Sequence, residues 1–485
     1  MKNKQKVQVS SEIGRLRRLL IHSPDVGIGK VIPSKMHNWL YDDIVDLFKM
    51  RLEYNEYVQI LLWLLDPEKI EGKKINAAFF KPSKDTYFNS DKVVEIEHLL
   101  LKVLKKSEEV KNQLVTHVCA AEKCSFAIIQ KLMKLPLEKL ARVLISGIVP
   151  DEDLFVFPPI PNFIFTRDIA ITVNNHLLLT KPAEKARERE AILTKYMAFY
   201  TLFGEKDGEF SDKVIELQDD KSFWIDDPDQ KTTVEGGDIM MVSPDHLVIG
   251  CSVRTSPEGV NKVIKQLFDR NVVSKVSVVK IPAKRDYMHI DTVFTQVKRN
   301  MWVVFGQFLE ASNNGNEIDV VKTLTSNKKK KQENIKVTQF IRKKTAKSYK
   351  IKVDNSVSTL RGLLTQISVE DFGCKKEEVD LILCAGGEAP DDEREQWTDA
   401  CNLLALREGV VIGYDRNKKT EAEFAKRGFQ VIHALDFIGL MNEGKKVDDV
   451  LNRDTLIVFS SSELSRARGG SHCMSMPLWR DKVEI

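Results

Sequence analysis

A cysteine near the carboxyl end of the chain lies in a glycine-rich segment. Residues 469–474 read GGSHCM and contain Cys473. Glycines permit a sharp loop and a close approach of a ligand to the backbone, so this loop could present Cys473 to a cleft. A thiolate presented in this way is a strong nucleophile at neutral pH. Cysteine is also among the most buried residue types, so packing in a core is the commoner explanation for such a residue taken alone.

A histidine and three carboxylates complete the set of residues that could do chemistry. His289 and Asp291 lie two positions apart in the string MHIDT, and on a strand both side chains would point to one face. Glu235 begins the glycine turn EGGD, and Asp168 ends the string FTRD. A thiol and an imidazole are the parts of a nucleophile and its proton carrier. Each string also has a structural explanation, as a satisfied His–Asp pair, a turn or a surface salt bridge.

Short apolar segments alternate with helical patterns along most of the chain, and they predict the elements that position these residues. The predicted strands are 176–180, 246–251, 275–281, 409–414 and 429–433, and the predicted helices are 185–199, 259–269 and 420–427. Two of the strands share the string Val-Ile-Gly, at 248–250 and 411–413. The pattern predicts an α/β fold, and internal repetition and ordinary alternation explain it about equally well.

Two stretches depart from this alternation. Residues 91–149 have apolar side chains at three- and four-residue spacing and few turn signals, which predicts a small helical bundle inserted into the α/β fold. Between 310 and 352 the composition shifts to Asn, Lys and Thr, and residues 328–331 are all lysine. This lysine run predicts a solvated surface loop or a partly disordered insertion, with a site for an anionic partner as a minor alternative.

Composition bounds the classes of function. A chain of 485 residues predicts two or three domains, or one large repeated architecture with insertions. Its hydrophobic content of 42% and charged content of 30% are typical of soluble globular proteins, and a net charge of +4 indicates no nucleic-acid partner. A polar amino terminus and the lack of a run of about 18 apolar residues predict a cytoplasmic protein without a membrane partner. The seven cysteines include no C-x-x-C pair, so we expect a free thiol and neither a disulfide framework nor a zinc site.

Taken together, the strings resemble the arginine deiminases, within the superfamily of guanidino-group-modifying enzymes. The strings that carry the resemblance occur in the family's order from end to end: SEIGRLR at 11–17, HSP at 22–24, PNFIFTRD at 161–168, EGGD at 235–238, RTS at 254–256, MHIDTVF at 288–294, EREQW at 393–397, GYDRN at 413–417 and SELSRARGGSHCM at 462–474. Ala467 and Ser471 stand where glycine is common in the family.

The resemblance implies a role for each of the chemically active residues. Cys473 is similar to the family's nucleophile, and His289 to the group that protonates the departing ammonia and then activates water. Glu235 is similar to the carboxylate paired with that histidine. Asp168 and Asp291 are similar to the groups that grip the guanidinium.

The resemblance also implies how the rest of the substrate is bound. Arg187, Arg254 and Arg468 are similar to the residues that bind or screen the substrate carboxylate, with Asn162 assisting. Burying that carboxylate without a cationic partner would cost several kcal/mol, so such arginines favour free L-arginine over agmatine, which lacks the carboxylate. The implied reaction converts L-arginine to L-citrulline and ammonia through an S-alkylthiouronium on Cys473, and it needs no metal or organic cofactor.

These residue types suit the chemistry of a guanidinium. The group is planar and delocalised with a pKa near 13, so its central carbon is a poor electrophile. Two carboxylates that bind it through charge-assisted hydrogen bonds hold it in place and localise positive charge on that carbon. The bound cation and a protonated His289 would in turn favour the thiolate of Cys473.

The fold implied by the resemblance is a five-bladed, pseudo-symmetric α/β propeller with the site at its centre and an inserted helical bundle. We expect the first part of the propeller at residues 1–75, the bundle at 76–149 and the remainder at 150–485. The chain is longer than a typical bacterial member, and the extra length near 313–374 and 435–454 is interpreted as surface insertions. The family commonly forms dimers or higher oligomers, so the resemblance implies a homo-oligomer.

Two alternatives stay open. The first is another enzyme of the same superfamily, an amidinotransferase or a hydrolase of agmatine or dimethylarginine. Such an enzyme would keep the cysteine, histidine and carboxylates but should lack the helical insert and the Arg-Gly-Gly tail at 468–470. The second is a non-catalytic arginine-binding regulator that has kept the fold, which a measurable turnover abolished by Cys473→Ser would exclude.

Overall fold

The computed structural model describes residues 6–72, 88–149, 152, 154–203, 212–217, 231–309, 335–345 and 348–484. Within these ranges the chain forms a mixed α/β fold with several sheets and helices. The lysine run at 328–331 lies outside the described residues, and so do residues 76–87 of the predicted bundle.

The strands are numbered in chain order. They are β1 (Leu16–Ile21), β2 (Val93–Glu95), β3 (Ile148–Val149), β4 (Leu154–Phe155), β5 (Ala170–Val173), β6 (His176–Leu179), β7 (Val214–Ile215), β8 (Ile239–Ser243), β9 (His246–Cys251), β10 (Lys275–Lys280), β11 (Phe294–Lys298), β12 (Met301–Val304), β13 (Lys336–Lys344), β14 (Tyr349–Asp354), β15 (Asp380–Leu383), β16 (Leu404–Arg407), β17 (Val410–Tyr414), β18 (Gln430–His433), β19 (Thr455–Phe459) and β20 (Met476–Arg480).

The helices are numbered in the same way. They are α1 (Leu47–Leu65), α2 (Ile96–Leu104), α3 (Glu108–Ala121), α4 (Phe126–Met133), α5 (Leu137–Ser146), α6 (Thr166–Ile169), α7 (Glu188–Met197), α8 (Pro257–Asp269), α9 (Leu360–Gln366), α10 (Asp391–Trp397), α11 (Lys418–Lys426), α12 (Ala434–Asn442) and α13 (Val447–Val450). Helix α8 begins where the sequence contains a serine followed by a proline. The Ser256 hydroxyl accepts a hydrogen bond from the backbone N–H of Gly259, and Pro257 occupies the first helical position.

Five sheets in the described part of the chain share one arrangement. In each sheet an antiparallel pair of strands is extended by a third strand that runs parallel to the second. The five triples are β20-β1-β2, β5-β6-β7, β8-β9-β10, β11-β12-β15 and β16-β17-β19. This common topology favours the repeated architecture over ordinary alternation. Both Val-Ile-Gly strings lie in the middle strand of a triple, in β9 and β17.

The predicted α/β elements are confirmed with small shifts at their ends. The predicted strands at 176–180, 246–251, 275–281, 409–414 and 429–433 correspond to β6, β9, β10, β17 and β18, and the predicted helices correspond to α7, α8 and α11. The helical pattern at 91–149 yields α2 to α5, but residues 93–95 form β2, which pairs in parallel with β1. Apolar side chains of these helices pack in one core with β6, including Leu99, Leu144 and Leu177. The division of the chain at 76 and 149 stays a prediction.

The second half of the predicted 313–374 insertion is not a surface addition. Strand β13 pairs antiparallel with β10, and β14 pairs antiparallel with β13, so both extend the sheet of β8-β9-β10. Helix α9 buries Leu360, Leu363 and Leu364 completely in the core. The surface interpretation was wrong for β13 and α9, because β13 buries Val337 and Gln339 and α9 packs into the core. Strand β14 has no buried residue, and its apolar side chains Ile351 and Val353 are exposed.

The predicted insertion at 435–454 is partly buried as well. Phe437, Ile438 and Met441 on α12 belong to the core that α1 also lines. Residues 442–446 are exposed, as the sequence predicted for that loop. Among the described helices, none combines the length and the apolar character needed to cross a bilayer.

Candidate active site

One cavity brings the predicted site residues together. Its lining includes Asn162, Asp168, Arg187, Glu235, Arg254, His289, Arg468 and Cys473. The remaining predicted residue, Asp291, is fully buried beside the cysteine, and its Oδ2 accepts a hydrogen bond from the Sγ of Cys473 at 3.3 Å. The thiol and the imidazole therefore share a cavity, although they lie far apart in the sequence.

The chemically active side chains occupy the same place in four of the five matching sheets. Asp168 lies in α6, directly before β5. Glu235 and His289 each precede a short 3-10 turn that leads into β8 and β11, and Cys473 lies three residues before β20. Segments that enter the first strand of each triple thus converge on the cavity. The repeated topology explains how residues so distant in sequence can meet.

The segment around His289 is not the strand that the sequence analysis assumed. His289 has extended backbone angles, and Ile290–Thr292 forms a 3-10 turn. Asp238 explains the turn, because its Oδ1 accepts a hydrogen bond from the backbone N–H of Ile290 at 3.1 Å. Gly237 lies directly under the imidazole, where an added Cβ would come within 2.5 Å of the Nδ1 of His289. Glycine is therefore required for the ring to lie against this turn.

The thiol of Cys473 is almost completely buried, with 4% of its surface exposed. Burial raises its pKa well above the usual value, and the charges of Asp291, Asp168 and Asp399 raise it further. These effects favour the protonated thiol at neutral pH. Ionisation requires a cation near the sulfur, and a guanidinium held by the same carboxylates would supply one.

His289 lies between two carboxylates. Its Nε2 is 3.0 Å from the Oε2 of Glu235, and its Nδ1 is 3.8 Å from the Oδ1 of Asp168. Burial opposes protonation of this ring, but the charge of Asp168 and the hydrogen bond to Glu235 prevail and raise the pKa of His289 to about 10. Burial likewise opposes ionisation of Glu235, yet Arg187 and His289 lower its pKa. The pair is therefore an imidazolium and a carboxylate at neutral pH.

Arg187 is paired with acidic side chains at the same end of the cavity. Its Nη1 donates hydrogen bonds to the Oδ2 of Asp168 at 2.8 Å and the Oε2 of Glu235 at 3.2 Å, and its Nε donates to the Oε2 of Glu190 at 2.8 Å. Burial lowers the pKa of Arg187, but the three carboxylates prevail and keep it charged. In this state the arginine holds the carboxylates in place. Its predicted contact with the substrate carboxylate stays a prediction.

Several buried polar atoms around the cavity have no hydrogen-bond partner among the described residues. At the thiol end these atoms are the Oδ1 of Asp168 and the Oδ1 of Asp291, and elsewhere they are the Nη1 of Arg254 and the Nε and Nη1 of Arg468. Arg254 has a longer ion pair of 3.5 Å with Glu184. Unsatisfied buried groups are rare in folded proteins. Unpartnered carboxylate oxygens and unpartnered guanidinium N–H groups around one cavity indicate a ligand that carries both a cation and an anion.

Arg468 is held in place by an aromatic ring. Its Cζ lies 3.3 Å from the centroid of the Trp397 ring, and its Nη2 donates a hydrogen bond to the backbone oxygen of Asp286. Burial lowers its pKa and Asp399 opposes that effect. The Nδ2 of Asn162 donates a hydrogen bond to the backbone oxygen of Trp39 at 2.7 Å, and its assistance in binding the substrate carboxylate stays a prediction.

A buried network that the sequence analysis missed lies behind Asp291. The Nδ1 of His472 is 2.9 Å from the Oδ2 of Asp291, and its Nε2 is 3.3 Å from the Oε2 of Glu12. The Nη1 of Arg167 donates to the Oε1 of Glu12 at 3.3 Å. Burial opposes ionisation of Asp291, but the His472 contact lowers its pKa and so keeps it anionic. The sequence offered one signal for this network, because Glu12, Arg167 and His472 all lie in the strings that resemble the family.

Asp168, Glu235 and His289 also form the group in the described residues that could bring three metal-ligating atoms within 4.8 Å of one another. Two of these residues already bind the guanidinium of Arg187. A guanidinium and a metal ion would compete for the same carboxylates. In this structure the carboxylates of Asp168 and Glu235 bind a guanidinium, so the three residues fit a planar organic cation better than a metal ion.

Comparison with known proteins gives a consistent result. Residues 128–480 match the family profile described as arginine deiminase. The chain is 28% identical over 483 residues to the arginine deiminase of Borrelia recurrentis (strain A1), with 98% of each chain covered. It is 28% identical over 498 residues to the arginine deiminase of Bacillus cytotoxicus, with 99% of this chain and 100% of the relative covered.

A solved structure with overall similarity is SxtG, an amidinotransferase from Microseira wollei in the saxitoxin biosynthetic pathway. The two chains are 12% identical with a TM-score of 0.47, and 98% of each is covered.

Proposed function

The chain belongs to the arginine deiminase family and is a hydrolase that acts on arginine, and we propose that the cavity around Cys473 converts free L-arginine to L-citrulline and ammonia. The observation that carries the proposal is the set of unpartnered buried atoms. The Oδ1 atoms of Asp168 and of Asp291, which contacts the thiol, match a guanidinium, and the N–H groups of Arg254 and Arg468 that lack a hydrogen-bond partner among the described residues match a carboxylate. Free arginine has both groups on one molecule.

Substrate binding prepares both reactants. The Oδ1 atoms of Asp168 and Asp291 accept hydrogen bonds from the guanidinium, so the central carbon is held near the Sγ of Cys473. The cation neutralises Asp168 and Asp291, two of the three carboxylates that oppose ionisation of the thiol. Binding therefore generates the nucleophile, and Asp291, which accepts the hydrogen bond from the Sγ, is the first acceptor of the thiol proton.

The first half-reaction releases ammonia. The thiolate forms a C–S bond to the guanidinium carbon, which gives a neutral tetrahedral adduct. The imidazolium of His289 transfers its proton to one terminal nitrogen, the C–N bond breaks, and ammonia leaves. An S-alkylthiouronium cation remains on Cys473, and His289 is neutral. Glu235 stabilises the protonated ring before this step and orients it throughout.

The second half-reaction releases citrulline. Neutral His289 takes a proton from water, and the hydroxide adds to the thiouronium carbon. The C–S bond then breaks with its electron pair returning to sulfur, and the protonated urea that results loses one proton to give citrulline. The departing ammonia takes up that proton equivalent as ammonium. The imidazolium is restored, and the proton held by Asp291 returns to the sulfur, which regenerates the thiol and the carboxylate of the free enzyme. One imidazole thus serves both halves.

Four further expectations remain proposals. We propose that the five sheets of common topology form the blades of a five-bladed α/β propeller, and that residues 76–149 form an inserted helical domain. The topology supports the first of these, because four of the five triples contribute a residue from the segment before the first strand to one cavity. A homo-oligomer and a cytoplasmic location follow from the sequence analysis. Light scattering on the purified protein tests the oligomeric state, and localisation of the tagged protein tests the cytoplasmic location.

The decisive experiment combines turnover with trapping. Purified protein is incubated separately with L-arginine, agmatine and dimethylarginine, and product formation is measured. Acid quenching during arginine turnover is followed by mass mapping of the tryptic peptide 469–480, in which Cys473 is the only cysteine. We expect citrulline from arginine alone and an adduct on this peptide, with neither in Cys473→Ser. Turnover that survives Cys473→Ser, or a preference for one of the other two substrates, would overturn the proposal.

A further inference from the structure

The fifth sheet contributes a residue that the proposed mechanism has not yet used. Asp168, Glu235, His289 and Cys473 each precede the first strand of a triple. In the remaining triple, β16-β17-β19, the residue at the corresponding place is Asn402, two positions before β16. Its side chain is completely buried. The repeated topology therefore directs Asn402 toward the same region as the other four.

The side chain of Asn402 makes three hydrogen bonds, all to the nucleophile or its neighbour. Its Oδ1 accepts from the backbone N–H of Cys473 at 3.0 Å. Its Nδ2 donates to the backbone oxygen of Asp291 at 3.1 Å and to the Sγ of Cys473 at 3.1 Å. The Sγ of Cys473 in turn donates to the Oδ2 of Asp291 at 3.3 Å. The sulfur thus donates to one neighbour and accepts from the other.

The orientation of this amide is fixed by backbone groups. Reversing oxygen and nitrogen would set the NH2 group against the N–H of Cys473 and the oxygen against the carbonyl of Asp291, which are both repulsive pairs. The two backbone contacts therefore require the nitrogen to face the sulfur. Any negative charge that forms on the sulfur meets an N–H donor that is already in place.

The charges around the sulfur make such a donor necessary. Asp291, Asp168 and Asp399 disfavour a negative sulfur, and the hydroxyls of Tyr57 and Tyr414 lie within electrostatic range of it. Among the hydrogen bonds of the described residues, the one donated to this sulfur comes from Asn402. Substrate brings a cation for the first attack, but the thiolate also has to leave in the second half-reaction. A fixed donor serves at both moments.

We propose that Asn402 is a catalytic residue of the reaction assigned above, because its Nδ2 stabilises the sulfur anion of Cys473 when it attacks and again when it departs. The proposal rests on the proposed function for its role in turnover. The stabilisation of the anion itself is a property of the free protein. It can therefore be measured without substrate.

The test measures ionisation of Cys473 directly. The full-length chain is alkylated with iodoacetamide over a range of pH, and modification is quantified on the peptide 469–480 by mass spectrometry. Thiolate absorbance near 240 nm gives a second measurement. In Asn402→Ala we expect the midpoint of the pH profile to rise by about one to two pH units, because one charge-assisted hydrogen bond is lost. Alkylation below the midpoint should slow by about ten- to hundredfold.

A matched control separates this effect from loosening of the loop. The Ser471 hydroxyl is buried in the same loop and contacts the backbone oxygens of Ile412 at 2.7 Å and of Asn402 at 3.3 Å. It accepts from the N–H of Leu404 at 3.1 Å, so its loss loosens the same backbone, but it does not contact the sulfur. Ser471→Ala should therefore lower the melting temperature and leave the ionisation profile unchanged. An equal shift in both variants, or an unchanged profile in folded Asn402→Ala, would overturn the proposal.

A second substitution keeps the test informative if Asn402→Ala does not fold. Asn402→Asp retains an oxygen for the N–H of Cys473 and, in the alkaline range where the thiol titrates, replaces the donor with a negative charge. Its profile should shift upward at least as far as that of Asn402→Ala, and a smaller shift contradicts the proposal. With arginine, kcat should fall more than KM rises. If the wild type releases no citrulline, the proposed function fails, while the alkylation profile still tests Asn402.

Discussion

Replacing Arg468 by methionine tests how the cavity recognises its substrate. The Nε and Nη1 of Arg468 are buried without a hydrogen-bond partner among the described residues, and the ring of Trp397 holds the guanidinium in place. Each of these two charged N–H groups can donate a hydrogen bond to a carboxylate oxygen. Methionine keeps the length and the contact with the ring but removes both donors. The substitution should therefore affect substrates with a carboxylate and spare those without one.

The size of the effect follows from the contacts that are lost. A hydrogen bond between charged groups contributes about 1.5–3 kcal/mol, which corresponds to roughly 10- to 150-fold in kcat/KM. Because two donors are removed, we expect a loss of about 100-fold for L-arginine, mostly through KM. Agmatine lacks the carboxylate, so its low kcat/KM should change by less than about threefold. The ratio of kcat/KM for arginine to kcat/KM for agmatine should therefore fall by the quotient of these two losses.

The assay measures kcat/KM of the wild type and of Arg468→Met, each with L-arginine and with agmatine, by following ammonia release. Arg299→Met is the matched control, because Arg299 is paired with Glu408 on the surface and does not line the cavity. This control should leave kcat/KM unchanged for both substrates. An equal loss for arginine and agmatine in Arg468→Met would show that Arg468 does not bind the carboxylate, and the assignment would then be withdrawn.

Three other predictions follow from the same geometry. Cys473→Ser should reduce citrulline release by at least about a thousandfold, because an alcohol is a far weaker nucleophile; a smaller loss argues against covalent catalysis. The pKa of His289 rises from 6.5 to about 10 on folding. The free energy of unfolding that its protonation contributes is therefore fully present below about pH 6.5 and is lost as the pH rises through about 10. Measured by urea unfolding, the free energy of unfolding should decline less over this pH range in Glu235→Gln than in the wild type. Gly237→Ala should lower kcat by about tenfold or more because an added Cβ would displace the imidazole. Gly439→Ala, where an added Cβ meets nothing within 4 Å, should leave kcat unchanged.

Much of the site could be predicted because short strings carry it. Cys473, His289 and Glu235 each stand next to glycine or in a distinctive local pattern, and the resemblance assigned them roles that their contacts support. The α/β alternation was equally readable, because β9, α8 and β10 each have a clear apolar periodicity. Local sequence is sufficient where one segment determines its own conformation.

Other features depended on contacts between distant segments. Asn402 gave no signal by itself, since its role comes from the backbone of Asp291 and the sulfur of Cys473. The pairing of Arg187 with Asp168 and Glu235 was not foreseen for the same reason. The strand assumed at His289 was wrong because Asp238, fifty-one residues earlier in the sequence, draws the following backbone into a turn. Such partners become visible only in three dimensions.

The pairing of β20 with β1 has a consequence for how the protein acquires activity. Leu16 lies opposite Arg480 in this pair, so the loop that holds Cys473 is anchored by strands that are far apart in the sequence. Closing so long a stretch of chain is entropically costly, and such contacts tend to form slowly during folding. We therefore predict that a refolding chain recovers arginine turnover only when β20 has docked against β1.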